Sequence, residues 1–275
     1  MIGLSTYAFF WQHTAAFRPP LDIAEMLRRT RDSGAELFQI CDYAPVEALS
    51  DNELVGIRNL ADELGLALEL GTRGLATDHL SNYLRMADLL DAGLVRSMVN
   101  TATHRPTLDE AAGLLRDILP SYEQSGVTLA LETYEQVATA DLVGLVERVG
   151  SPNLGICLDP ANTVARLEHP TDVIDRTADH VVNIHVKDFT FTRKDGWVGF
   201  SLVGCPLGEG MLPYDYLLER VRPDERGINQ VIEHWLPMLA TADETIEAEQ
   251  AWTAHNLNYL ASHTLTSTST SIRSK

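Results

Sequence analysis

Two rhythms alternate along this chain: short, nearly continuous apolar runs, and longer stretches where apolar residues return every three to four positions. The short runs predict strands at Ile2–Thr6, Glu36–Ile40, Leu66–Leu70, Ser97–Thr101, Val127–Glu132, Leu154–Asp159, His180–Val186 and Gln230–Glu233. The long ones predict helices, as in LDIAEMLRRTRDSGA and TLDEAAGLLRDILPSYEQSG. In the second of these, Thr107 after Pro106 is the predicted N-cap, and Gly126 stands where a helix would stop. Eight strands at intervals of roughly 30 residues, each followed by a helix, predict an α/β protein folded as a single (β/α)8 barrel. An open doubly wound sheet is the competing architecture, but no GxGxxG follows the first strand. Residues 188–213, rich in glycine and aromatics, form the one long irregular stretch and are expected over the barrel mouth. No interdomain linker stands out, so residues 1–262 are assigned to the barrel. The Ser/Thr-rich end, 263–275, is expected to be disordered.

Composition narrows the partners. With 275 residues, 45% of them hydrophobic, the chain suits one barrel that needs no covalent staples. Cys41, Cys157 and Cys205 are scattered and form no CxxC pair, so a reducing cytoplasm is the expected location. The opening MIGLSTYAFF lacks a basic flank and a long apolar core, and no apolar run reaches the roughly 18 residues of a membrane helix. A formal net charge of −18 disfavours nucleic acid, whose phosphates it would repel. It leaves room for a small anion, because a metal and a few cations can dominate one pocket. The faces of the outer helices leave association into homo-oligomers open.

The chemistry gathers at the ends of the last four predicted strands. LALETYE carries Glu132, GICLDPANT carries Asp159, VNIHVKDF carries His185 and VIEHW carries Glu233. In a barrel these ends meet at the catalytic face. Singly, each has a structural explanation: a Glu can cap a strand, Asp159 before Pro160 can open a turn, and a histidine can sit satisfied in a core. Together they put three carboxylates into one small space, where they repel unless a cation lies between them. One divalent metal ion resolves the conflict. Mixed oxygen and nitrogen ligation suits Mn²⁺, Mg²⁺, Co²⁺ or Zn²⁺, and the absence of thiolate argues against a structural zinc site.

These strings, with the opening IGLSTYAF and the GTRG after the third strand, resemble the xylose isomerase-like TIM barrels of the sugar-phosphate isomerase/epimerase superfamily. The resemblance spans almost the whole chain outside the Ser/Thr-rich end. It implies that Glu132, Asp159, His185 and Glu233 hold one divalent cation, with Mn²⁺ the first expectation. It also implies that Glu132 and Glu233 act as catalytic acid and base. The sequence departs from the ketose 3-epimerases after His185, where Lys187 and Asp188 replace a different set of polar side chains.

The function expected from this site is sugar isomerisation or epimerisation by proton transfer through an enediolate. A lyase or dehydratase acting on oxidised sugars would use the same site. A phosphodiesterase of the endonuclease branch would need more histidines and a basic surface, and a non-catalytic subunit would show an interrupted ligand set. Further substrate contacts are expected from Glu69, from Arg73 in GTRG, from Lys187 (or its pairing with Glu209), from Tyr7, from His104 and from Trp197. Phe9, Phe10, Trp11 and Phe200 are candidates to wall the sugar's apolar face, and His234 should pack behind its strand. The only glycine loop for phosphate is GEG at 208–210, which favours an unphosphorylated substrate.

Overall fold

A computed structural model describes residues 1–14 and 19–270. Eight parallel strands close on themselves: β1 (Ile2–Ser5), β2 (Leu37–Cys41), β3 (Ala67–Gly71), β4 (Leu94–Ser97), β5 (Thr128–Glu132), β6 (Leu154–Leu158), β7 (Val181–Val186) and β10 (Asn229–Ile232). Chain order is kept round the barrel, and β1 pairs with both β2 and β10 to complete it. The protein is a single (β/α)8 TIM barrel. The two remaining strands, β8 (Asp188–Arg193) and β9 (Phe200–Cys205), form an antiparallel hairpin after β7.

Helices fill the crossovers: α1 (Phe10–His13) and α2 (Ile23–Asp32), then α3 (Asp51–Leu64), α4 (Thr77–Leu90), α5 (Leu108–Ser125) and α6 (Thr139–Val149). After β6 come α7 (Pro160–Thr163) and α8 (Pro170–Thr177), then α9 (Tyr214–Val221) and α10 (Pro223–Arg226). The closing helix, α11, runs Ala242–Thr270. Its last residues fall within the Ser/Thr-rich end, of which residues 271–275 lie outside the described residues. Among the described residues no helix is long and apolar enough to cross a membrane.

Local rules account for the element ends. Ser50 and Thr107 each close a capping box with the glutamate three residues on, and Gly65 and Gly126 end those helices in the left-handed region. Parallel strands covered by helices are buried on both faces, and Leu4, Phe38, Leu70, Leu129, Ile184 and Ile232 are fully buried. Each such side chain contributes about 1.5–3 kcal/mol on leaving water.

Three expectations need correction. The fourth strand is Leu94–Ser97, not Ser97–Thr101, because Arg96 interrupts the apolar pattern yet lies inside the barrel. The last strand ends at Ile232, leaving Glu233 at its mouth. The stretch 188–213 is not irregular throughout, since residues 188–193 and 200–205 pair as a hairpin.

Candidate metal centre

The register of the last four barrel strands brings the four expected ligands together. Glu132 is the final residue of β5, Asp159 follows β6, His185 lies on β7 and Glu233 follows β10. All four are buried, and each offers a ligand atom within 4.8 Å of the others. His185 Nδ1 lies 3.3 Å from Glu132 Oε1 and 3.3 Å from Glu233 Oε1. Asp159 does two jobs: Oδ1 accepts from the Asn162 backbone N–H at 3.2 Å and caps α7, while Oδ2 faces the cluster.

The donors fit a divalent cation on two grounds. Glu132 Oε2 and Asp159 Oδ2 are buried without a hydrogen bond of good geometry. The set is also oxygen with one imidazole nitrogen, which suits Mg²⁺ or Mn²⁺ and their neighbours. The electrostatics show the same crowding. Burial pushes Asp159 up, to about 6, against the pull of Lys187. Burial acts in the same sense on Glu132, but Arg96 and His185 outweigh it and hold this carboxyl at about 2. Burial likewise opposes ionisation of Glu233, and there His185 and Lys187 prevail and lower it.

Two buried cations complete the cluster. Lys187 Nζ sits 2.8 Å from Asp159 Oδ2 and 2.8 Å from Glu233 Oε2, with the Trp235 ring 4.8 Å away. It therefore does not pair with Glu209, which lies in an exposed turn; strand alternation points Lys187 inward beside His185. Arg96, 2% exposed, contacts Glu132 through Nε and Asp42 through Nη1 at 3.3 Å. Ser5 Oγ donates to Glu233 Oε1 at 3.2 Å, and Asn162 Nδ2 donates to Glu132 Oε1 at 2.8 Å.

From Asp42 the network continues to the rim. Its carboxylate accepts from Tyr7 OH at 3.1 Å and from Arg73 Nη2 at 2.8 Å, and Arg73 Nη2 also reaches Tyr7 OH at 2.9 Å. Tyr7, Asp42, Thr72, Arg73, His79 and Tyr83 line a cavity of about 410 Å³ at this side of the mouth. A cavity of about 420 Å³ lies outside the barrel between α2 and α11, and none of the four ligands lines it. The rim cavity is the relevant one, because the Asp42–Arg96–Glu132 chain ties it to the metal ligands.

Other expected contacts are placed elsewhere. Glu69 does point inward, but it lies in the layer beneath the ligands, held by Gln39, Asn183 and Asn229. His104 is exposed in the loop before α5, its backbone closing a turn on Thr101. Trp197 is 77% exposed at the hairpin tip, where Arg193 stacks on it and on Phe200. Phe9 is core, packed on Phe38, and so does not wall the mouth, whereas Phe10 stacks on Tyr7. Trp11 Nε1 donates to the Leu236 carbonyl at 2.8 Å. His234 packs behind its strand on Trp252, as alternation predicted. The GEG turn is filled from within: Asp188 Oδ2 accepts from the N–H groups of Gly208 and Gly210, and Oδ1 from that of Leu212. A Cβ at Gly210 would stand 2.3 Å from Asp188 Oδ1, so only glycine lets the turn close on the carboxylate.

Comparison with known proteins agrees with this geometry. The family model described as xylose isomerase-like TIM barrel matches residues 2–261. The chain belongs to this family. Within it, the 3-oxo-isoapionate decarboxylase of Pectobacterium atrosepticum is 59% identical over 259 residues, 94% of each chain. Among solved structures, a family member from Mycobacterium smegmatis in complex with magnesium is 19% identical, with a TM-score of 0.69 over 93% of this chain and 96% of that one. The D-psicose 3-epimerase of Clostridium cellulolyticum, crystallised with D-tagatose, is 14% identical, with a TM-score of 0.74 over 94% and 97%. At these identities the two structures show the shared fold.

Proposed function

We propose that this protein is a metal-dependent lyase that decarboxylates a sugar-derived 3-oxo acid, with 3-oxo-isoapionate the first candidate. The 59% identity to the Pectobacterium decarboxylase, maintained over 94% of both chains, carries this reading. A 3-oxo acid places a ketone two carbons from its carboxylate, so the carbon–carbon bond to the carboxylate can break with its electron pair flowing toward the ketone oxygen. CO₂ leaves, a proton takes its place on carbon, and no oxidant is needed. A divalent cation held by Glu132, Asp159, His185 and Glu233 would supply Lewis-acid polarisation of that ketone.

The side chains support elimination over epimerisation. Both routes share an enediolate, but epimerisation begins by removing a proton from carbon. Glu132 is paired with Arg96, a guanidinium that does not give up its proton, and Asn162 Nδ2 holds its other oxygen, so it is poorly placed for that task. Decarboxylation generates the same electron-rich carbon without a base. Glu233 and Lys187, hydrogen-bonded at 2.8 Å, form the pair that handles the incoming proton. Lys187 and the rim residue Arg73 offset the substrate's negative charge in a chain of net charge −18. Among the two glutamates expected as acid and base, Glu132 thus serves as ligand and Glu233 keeps a proton-transfer role.

The test is the Mg²⁺- or Mn²⁺-loaded protein with carboxyl-¹³C 3-oxo-isoapionate in D₂O, followed by NMR. Release of ¹³CO₂ with one deuteron retained at the former carboxyl-bearing carbon, stopped by chelation, is the expected result. Deuterium exchange into ketoses with no CO₂ from the oxo acid would return the assignment to an epimerase.

A further inference from the structure

Beneath the metal ligands, the barrel axis carries amide and carboxylate groups where apolar side chains usually close such a barrel. Gln39 of β2, Glu69 of β3 and Asn183 of β7 are buried there, with Asn229 of β10 beside them. The Glu69 carboxylate accepts from Gln39 Nε2 at 3.1 Å, from Asn183 Nδ2 at 2.9 Å and from Asn229 Nδ2 at 2.7 Å. A buried carboxylate without partners is costly, and three amide donors make this one tolerable. With Asn183 and Asn229 also donating to it, this carboxylate stands as an acceptor toward Gln39, so it dictates which end of the Gln39 amide faces it. The N–H₂ turns to Glu69 and the carbonyl turns away. That carbonyl, Oε1, lies 2.8 Å from His185 Nε2.

A carbonyl opposite Nε2 requires that nitrogen to carry a hydrogen. In a neutral ring the lone pair is then on Nδ1, the atom that faces Glu132 and Glu233 at 3.3 Å. We propose that Glu69 is a positioning residue: it fixes the Gln39 amide, and through that amide selects Nδ1 of His185 as the nitrogen offered to the cation. The inference rests on the metal reading of the four ligands and extends it to a residue two contacts away. With Glu69 gone, the Gln39 amide is free to turn over. Its N–H₂ would then meet Nε2, and the ring hydrogen would move to the nitrogen that has to bind metal.

Calorimetric titration with Mg²⁺, together with ¹H–¹⁵N spectra of the His185 ring in the Mg²⁺-loaded protein, tests this without any turnover. Loss of a partner that orients a metal-bound histidine typically lowers affinity about 10–100-fold. Gln39→Leu is expected to fall in that range, and Glu69→Leu to weaken binding in the same direction. Glu69→Gln still offers Gln39 a carbonyl and should stay within about threefold of wild type, with the ring hydrogen kept on Nε2. Should Glu69→Leu not fold, Gln39→Met carries the same test. Wild-type affinity in the Leu variants, or a ring hydrogen on Nδ1 in the loaded wild type, overturns the inference alone. A wild type that binds no Mg²⁺ overturns the metal reading and the inference with it.

Discussion

Replacing Arg96 by methionine removes the guanidinium that contacts Glu132 and Asp42 inside the barrel, while keeping most of its volume. Arg96 is 2% exposed and Glu132 1%, so neither charge is relieved by solvent. Breaking a buried pair by removing one partner costs about 3–5 kcal/mol, since the other charge is left without compensation. Linkage gives the same scale: a carboxyl held at about 2 and not at 4.5 contributes about 3 kcal/mol. For a chain of this size that corresponds to a fall of roughly 5–10 °C in Tm. The sign with pH follows from the direction of the shift. A depressed carboxyl stabilises the fold above its unfolded value of 4.5, and this contribution fades as pH falls toward 2. The gap between wild type and Arg96→Met should therefore be full at pH 6 without metal and shrink from pH 4.5 downward. Mg²⁺, by compensating Glu132, should narrow the gap at pH 6. Urea unfolding at several pH values, with EDTA or Mg²⁺, measures all three. Equal stability of the two proteins at pH 6 in EDTA would refute the reasoning.

Three other perturbations have definite signs. Lys187→Met removes a like charge beside the cation's ligands; Mg²⁺ affinity should rise at least about tenfold by calorimetry, while CO₂ release falls. Asp188→Ala strips the acceptor from three backbone N–H groups of residues 208–212, and should cost about 2–4 kcal/mol in urea unfolding with faster amide exchange confined to that turn. Burial raises Glu249 to about 7 although Trp11 N–H and Gln12 Nε2 donate to it, so its ionisation works against the fold as pH rises from 4.5 through 7. Glu249→Gln should accordingly gain relative stability across that interval, and a gap that stays flat with pH would exclude this account.

The sequence disclosed most where physics makes residues conspicuous. Glu132, Asp159, His185 and Glu233 stood out because ionisable groups ended apolar strands, and the barrel brought them within 4.8 Å. The two readings of Asp159, turn former and ligand, proved compatible, since one oxygen caps α7 and the other faces the cluster. Arg96 was hidden for the same reason that it matters. A charged residue in a short strand breaks the apolar rhythm, which displaced the predicted strand to Ser97–Thr101 and left no sign of its partners across the barrel. Asp42, Ser5 and Asn162 were equally silent, because their contacts join residues 30 to 228 positions apart. Lys187 was visible, yet its partners follow from convergence of three strands and not from neighbours in the chain.

The turn at Gly208–Gly210 occupies the place after the seventh barrel strand where this architecture often seats a phosphate. Here Asp188 already sits in it, taking the N–H groups an incoming anion would need. The turn thus has its own anion built in, and its N–H groups are satisfied from within the chain. The loop after the seventh barrel strand therefore turns its backbone donors inward, and one carboxylate fixes its path from Gly208 to Leu212.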